Sequence, residues 1–143
     1  MADFDFSELT KLAADLGKVG DNAGPFIRQA IQVTSLKVKK AAQKSVGDSE
    51  MWSGAAAAIT YDTEAKAALS GSSITSEIGY DKGRAGGKLG NLREFGAPNA
   101  TYGGKKVPLA PSNDLRNALE ANQDDFEHGI EKAIDDALKA VGL

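Results

Sequence analysis

The apolar residues near the start of the chain recur every three or four positions, as in a helix with one buried face. They are Leu9, Leu12, Leu16 and Val19. This stripe predicts a first helix over residues 6 to about 19. The glycine-containing stretch 20–24 predicts a break, and Pro25 suits the first position of a second helix.

The second predicted helix runs from Pro25 to residues 45–47, with Ile27, Ile31 and Val38 on its apolar face. Lysines crowd its C-terminal half, where they complement the negative end of the helix dipole. The two helices could pair as a hairpin, in which each covers the apolar stripe of the other.

The middle of the chain changes to a period of two. Apolar and polar residues alternate around Ile59 to Thr63 and again from Ile74 to Tyr80, which predicts two strands of a small antiparallel sheet. The alanine-rich stretch 64–69 could form a helical turn instead. Before the strands, residues 48–54 are predicted to form a loop, whose Trp52 is either a lid on the core or an interface anchor.

Residues 81–106 are rich in glycine and poor in apolar residues. They predict a long exposed loop with one short ordered piece at 92–95, of the kind that is functional or orders on binding. Pro108 and Pro111 bracket an extended stretch, and Ser112 is a suitable N-cap for a long C-terminal helix that could break at 121–123. The whole pattern predicts a single α+β domain over residues 1–143, with the helices packed on the small antiparallel sheet.

Composition narrows the possible functions. The chain has 143 residues, 41% hydrophobic and 26% charged, with no cysteine and one histidine. A disulfide framework, a zinc ribbon and a cysteine nucleophile are therefore excluded. The N-terminus lacks the features of a signal peptide, and no apolar run is long enough for a membrane span. We expect a soluble protein made in a cytoplasm.

No catalytic motif is complete. The glycine-rich stretch 83–90 resembles a phosphate-binding loop, but Lys82 stands where that motif needs glycine, and Leu89 where it needs serine or threonine. His128 is isolated, and adjacent acidic residues on a helix point about 100° apart, so they do not converge on one ion. We therefore expect no enzyme activity, no metal and no cofactor.

The net charge of −3 conceals an uneven distribution. Residues 28–44 contain five basic and no acidic residues, and residues 82–106 contain six basic and one acidic. Residues 112–143 contain eight acidic and three basic. Such runs are commonly solvated faces, but opposite patches on one molecule also favour head-to-tail stacking of identical copies.

Three segments together resemble the neck and tail-completion (head–tail joining) proteins of long-tailed bacteriophages. The first is the run of leucines and lysines that leads into residues 37–42. The second is the sequence of acidic residue, aromatic residue, glycine and small residue at Glu94 to Ala97. The third is the proline-bracketed segment Val107 to Pro111, followed by the leucines and alanine of the last helix. Residues 48–58 depart from the family pattern.

The resemblance implies a non-enzymatic virion protein, assembled in the host cytoplasm, that forms a ring at the head–tail junction. The implied partners are other copies of the chain in a hexamer or dodecamer, the head-closure or connector protein, the tail terminator or tube protein, and the passing genomic DNA, without sequence specificity. No membrane is involved. The alternatives are a tail terminator that caps the tube and a small DNA-binding or packaging accessory protein.

The loop 82–106 is the predicted contact surface between subunits or between neighbouring rings. The predicted interface residues are Lys82, Arg84, Lys88, Arg93, Glu94, Phe95, Tyr102, Lys105, Lys106 and, outside the loop, Trp52.

Overall fold

A computed structural model of the chain describes residues 6–68, 71–140 and 142, with side chains for 23–65, 73–140 and 142. It begins with one helix, α1 (Phe6–Gly47), of 42 residues. At 1.5 Å per residue, α1 is about 63 Å long. The predicted break at 20–24 and the two-helix hairpin are therefore wrong, whereas the predicted end at residues 45–47 is confirmed.

Pro25 lies inside α1 rather than at the start of a second helix. Proline at such a position removes one backbone hydrogen bond and is costly in a helix. Packing against the C-terminal part of the chain offsets this cost, because Ala23 and Ala137 form a buried cluster to which Phe26 and Ile27 add partly buried side chains. Tertiary contact therefore overrides a local signal for a helix break.

The segment after α1 is a turn followed by a short 3₁₀ helix, Ser53–Ala58. The predicted loop at 48–54 is therefore confirmed for residues 48–52, whereas residues 53 and 54 already belong to a short helix that was not predicted. Trp52 is partly buried and packs against the main core cluster. This position agrees with the lid alternative.

Two long strands follow, β1 (Ile59–Ala68) and β2 (Gly71–Tyr80), and they pair antiparallel. The prediction of two strands is confirmed. Because β1 continues to Ala68, a helical turn over residues 64–68 is wrong; Leu69 lies outside the described residues. Cross-strand pairing explains this result, since each alanine of β1 has a partner on β2 that a helical turn would lack.

The glycine-rich region contains more structure than predicted. It forms helix α2 (Gly87–Phe95) and a tight hairpin of β3 (Thr101–Tyr102) and β4 (Lys105–Lys106). The ordered piece predicted at 92–95 is therefore correct in place but too short. Gly103 and Gly104 form the hairpin turn with φ of 59° and 76°, which side-chain-bearing residues rarely adopt.

The C-terminal part consists of α3 (Asp114–Ala121) and α4 (Gln123–Ala140). The alternative of a break at 121–123 is confirmed. Ser112 is not the N-cap, since α3 begins two residues later. Both helices pack against α1.

The main core lies where α1, the 3₁₀ helix, the sheet and α3 meet. Its buried members are Val38, Ala42, Val46, Ala55, Ala58, Ile59, Tyr80 and Ala118. Helices and an antiparallel sheet in one chain give an α+β fold. Among the described residues, no helix is long and apolar enough to cross a membrane.

Candidate interface around helix α2

Helix α2 turns its small and charged residues towards the protein. Its buried residues are Gly87, Gly90 and Glu94. The glycines allow close approach: a Cβ on Gly90 would overlap the ring of Tyr80, and a Cβ on Gly87 would overlap the backbone of Asp81. These glycines thus serve packing, and not the loop flexibility that the sequence indicated.

Glu94 joins α2 to α3. Its side chain is 3% exposed. One carboxylate oxygen accepts a hydrogen bond from the backbone N–H of Leu115 at 2.9 Å, and the other accepts one from Arg116 at 3.2 Å. These N–H groups belong to the first turn of α3 and have no partner within the helix. Glu94 therefore replaces the N-cap that Ser112 was predicted to supply.

Arg93 makes a second connection to the same helix end. Its Nε donates to Oδ2 of Asp114 at 2.7 Å, while the hydroxyl of Ser45 on α1 donates to Oδ1 at 2.6 Å. Burial alone would raise the pKa of Asp114, but the hydrogen bonds from Arg93 and Ser45 outweigh burial and hold that pKa below its usual value. Asp114 is therefore a charged residue that ties α1, α2 and α3 together.

Tyr80 lies beside this charged cluster. Burial, together with the negative charges of Asp114 and Glu94, raises the pKa of the Tyr80 phenol to about 12. Its hydroxyl is buried and has no hydrogen-bond partner among the described residues. The ring is thus used mainly as an apolar surface against Gly90.

The two later segments that carry the family resemblance contact one another. Ala97 and Leu109 exchange backbone hydrogen bonds of 2.8 and 2.9 Å. Gly96 has a φ of 73°, and a Cβ there would lie 2.7 Å from the Leu109 carbonyl oxygen and from the nitrogen of Pro111. A side chain at position 96 would therefore clash with the proline-bracketed segment, so glycine is required there.

The other face of α2 points outward and is largely apolar. Leu89 is 57% exposed, Leu92 38% and Phe95 74%, and Lys88 is exposed beside them. We call these four residues the α2 outer face. A surface helix normally buries its apolar side. Here the polar side is buried, and an exposed apolar cluster of this kind typically marks a contact surface.

The remaining residues of the predicted interface separate into two groups. Tyr102, Lys105 and Lys106 are exposed on the β3–β4 hairpin, and Lys82 is exposed before α2. Arg84 is exposed too, although its guanidinium lies 3.5 Å from the carboxylate of Asp81.

By contrast, Arg93 and Glu94 bind within the chain, and Trp52 packs on the core. Leu89 and Leu92 were not among the predicted interface residues. Their spacing with Phe95, at every third position, was the available signal.

A groove lies between α1, β2 and the C-terminal helices. One end, of about 160 Å³, is lined by Ile31, Thr34, Ser35, Val38, Ile74, Ser76, Ile78, Leu119 and Phe126. The other end, of about 340 Å³, is also lined by Leu115 and Arg116. We call it the sheet–helix groove. Its lining is mostly apolar, and Leu119 is 56% exposed there.

The part of the chain that the structure describes contains no group of three or more histidine, aspartate or glutamate side chains placed to hold a metal ion. His128 is exposed, and its Nδ1 lies 2.8 Å from the backbone oxygen of Asp124 on the same helix.

No family model, curated protein or solved structure matches this chain.

Proposed function

We propose that the chain is a non-enzymatic structural subunit of a long-tailed bacteriophage virion, which forms a ring at the head–tail junction. There it joins the head connector to the tail tube around the DNA channel. The observation that carries the assembly role is the α2 outer face, an apolar surface held outward by a buried ionic network.

The rigidity of this surface supports a role in assembly. Glu94 and Arg93 fix the inner side of α2 to α3, so Leu92 and Phe95 are presented on a fixed helix. A preorganised surface loses less conformational entropy when it binds than a flexible loop does. The exposed leucines and phenylalanine are therefore suited to a specific contact.

The assignment to the head–tail junction rests on the family resemblance. The structure adds a physical reason for two of its segments to occur together, since Gly96 and Ala97 pack directly on Leu109 and Pro111. Glu94, the acidic residue of the earlier of these two segments, caps α3. Helix α3 follows the proline-bracketed segment. The segments form one unit that positions α2 and α3.

A small DNA-binding protein is the alternative from another class. Lys82, Lys88, Lys105 and Lys106 are exposed and could contact phosphates. However, they share the surface with exposed apolar residues, and eight acidic residues lie at the C-terminal end of the chain. A tail terminator that caps the tube would use the same assembly surfaces in another layer.

Electron microscopy of the purified protein, mixed with tail tubes and with DNA-filled heads, tests the proposal. We expect rings that bind both the heads and one end of the tubes, and joined heads and tails. Phe95→Asp, placed on the α2 outer face, should abolish these products without unfolding the chain. The matched control is Met51→Asp, an exposed apolar residue outside α2, which should leave them intact.

A monomer that ignores both tubes and heads, and binds DNA with a steep salt dependence, would overturn the proposal in favour of the DNA-binding alternative. Binding restricted to tube ends would favour the tail terminator.

A further inference from the structure

We infer that residues 6–19 of α1 form a docking segment that pairs antiparallel with the same segment of a second copy of this chain. We call this segment the N-terminal arm. The contact goes beyond the proposed function, because it leaves the α2 outer face free. Its basis is an apolar face of α1 that the other described elements do not cover.

Helix α4 packs antiparallel on α1 in a constant register. The side chains of Lys37 and Asp125 form an ion pair at 3.4 Å, and Ala23 and Ala137 share one buried cluster. The numbers of two residues that lie opposite each other therefore add up to about 160. This register gives the point on α1 that the end of α4 reaches.

Helix α4 ends before it covers the N-terminal arm. It ends at Ala140, after which the N–H of Gly142, a residue with a φ of 80°, donates to the carbonyl of Lys139. Glycine in this left-handed conformation terminates helices. In the register above, Ala140 lies opposite residue 20, so α4 leaves the arm without a helix across from it.

The described strands end earlier still. The hydroxyl of Ser76 in β2 is hydrogen-bonded to that of Ser35 in α1 at 2.6 Å. One end of β2, Tyr80, lies in the main core near the C-terminal end of α1, so Gly71 at its other end lies towards the N-terminal arm. From Ser76 to Gly71 the strand spans about 17 Å, which is the rise of about eleven helical residues. The described part of β2 thus reaches no further than about residue 24.

The N-terminal arm continues the face of α1 on which α4 packs. At about 100° per residue, Leu9, Leu12, Leu16 and Val19 lie within about 40° of Ala23 around the helix axis. The sequence predicted that a second helix of the same chain covers this stripe, and the continuity of α1 removes that partner. An apolar helix face of this kind is normally buried. A helix from another molecule is therefore required to cover it.

The position of α4 favours an antiparallel partner. In a parallel pair, the second α1 would continue past residue 20 onto the face that α4 already occupies. In an antiparallel pair with apolar positions facing each other, Leu9 lies opposite Val19, and Leu12 lies opposite Leu16. The second arm then begins where α4 ends and continues it in the same direction, so the contact extends the α1–α4 interface.

The charges beside the apolar face favour a second copy as that partner. Glu8, Lys11, Asp15 and Lys18 follow one edge of the face and alternate in sign. Reversing the direction of the helix reverses the order of the signs. In the antiparallel register, Glu8 comes within two residues of the position opposite Lys18, and Asp15 does the same with Lys11. The arm is therefore complementary in charge to an antiparallel copy of itself.

The contact is small and symmetric. Each copy contributes four large apolar positions, so a dissociation constant on the order of 10 µM is expected. A twofold contact of this kind joins two copies and cannot close a ring by itself. It is therefore separate from the subunit contact of the proposed ring.

Substitutions in the arm test the apolar contact. All variants carry Phe95→Asp, which removes the α2 outer face, so failure of the proposed function does not affect the readout. Analytical ultracentrifugation of this background should show a dimer. Adding Leu12→Asp should weaken the dimer at least roughly 30-fold, the size of an interface hot spot. Ala14→Asp, on the opposite side of the helix, is the matched control and should have little effect. Circular dichroism confirms that each variant is folded.

Charge variants test whether the partner is an antiparallel copy. Glu8→Lys with Asp15→Lys makes the charged edge wholly basic, and Lys11→Glu with Lys18→Glu makes it wholly acidic. Each double variant alone should be monomeric, because like charges then meet. An equimolar mixture of the two should form a 1:1 dimer, as measured by native mass spectrometry.

Cysteine cross-linking tests the register independently, because the chain contains no cysteine. Leu12→Cys and Leu16→Cys should form a disulfide-linked dimer when the two variants are mixed and mildly oxidised. Either variant alone should not, since the two identical positions lie four residues apart along an antiparallel pair.

The inference is overturned if the Phe95→Asp background stays monomeric at about 1 mM, or if Leu12→Asp and Ala14→Asp have equal effects. Cross-linking of each cysteine variant with itself, or dimers of each charge variant alone, would overturn the antiparallel arrangement. Head–tail joining is scored with Phe95 intact. An arm dimer without joining overturns the proposed function alone, whereas joining without an arm dimer overturns this inference alone.

Discussion

The side chain of Glu94 joins α2 to α3. Its buried carboxylate satisfies two backbone N–H groups of α3 that lack partners within the helix. Glu94→Ala leaves them unpaired and should reduce the free energy of unfolding by about 2 kcal/mol. Urea denaturation measures the change.

Glu120→Ala is the matched control for Glu94. Glu120 pairs with Arg116 at 3.1 Å on the exposed side of α3, where the removal of an ion pair should cost about 0.5 kcal/mol or less. Equal effects of the two substitutions would contradict the capping role of Glu94.

Asp114 makes stability depend on acid pH. Its pKa in the folded chain is lower than the usual 3.8, so the folded state binds a proton less readily than the unfolded chain. The resulting stabilisation is fully present above pH 3.8 and is lost as the pH falls through the folded pKa. Asp114→Asn should cost about 3 kcal/mol at pH 7, because Arg93 keeps its charge without a partner.

The same substitution should make the decline in stability towards pH 2 shallower. Urea denaturation between pH 2 and pH 7 tests both effects. An unchanged acid slope in Asp114→Asn would show that other carboxylates produce the decline.

At the scale of secondary structure, α2 depends on glycine for its packing. A methyl group at position 90 overlaps the Tyr80 ring, so Gly90→Ala should destabilise the protein by about 1–3 kcal/mol despite the higher helix propensity of alanine. Gly24→Ala is the control, since it lies in α1 and a Cβ there meets nothing within 4 Å. That control should stabilise the helix by up to about 1 kcal/mol. Thermal denaturation compares the two variants.

The elements differ in how well their sequences predict them. The strand that begins at Ile59 and the strand that ends at Tyr80 were predictable, because the alternation of apolar and polar residues is a local pattern. The continuity of helix α1 through residues 20–24 was not, because the packing of Ala23 on Ala137 joins residues more than a hundred positions apart. The extent of α2 was missed for a similar reason, since its glycines signal a loop until the Tyr80 ring is placed against Gly90.

The candidate site was likewise predictable only in part. Phe95, Tyr102 and the lysines of residues 82–106 are exposed as a contact surface requires. The sequence alone did not show that Arg93 and Glu94 bind within the chain, unlike these exposed residues. Only the fold brings Asp114 and the N-terminus of α3 to their side chains. The groove was invisible in the sequence, as its walls come from three distant parts of the chain.

At the scale of the whole molecule, contact between subunits should depend on salt. In the proposed ring, the α2 outer face carries the exposed charge of Lys88, and salt screens such exposed charges. Self-association should weaken several-fold between 0.05 and 0.5 M NaCl, but it should persist in part because the leucines and Phe95 are apolar. Analytical ultracentrifugation across this range measures the effect.

Charge reversal separates this effect from general screening. Lys88→Glu should change the strength of association and remove part of its salt dependence. A salt dependence unchanged by Lys88→Glu would place the relevant charges elsewhere.

The carboxylate of Glu94 has a geometric consequence for a closed assembly. It fixes α2, which bears the proposed contact surface, to α3, and α3 packs against α1. In the proposed ring, the orientation of α2 relative to α1 contributes to the rotation from each copy to the next, and that rotation determines whether a chain of copies closes or spirals. The number of subunits in the ring would then be set largely by one buried side chain, and a change of a few degrees at this joint would convert a ring into an open helix.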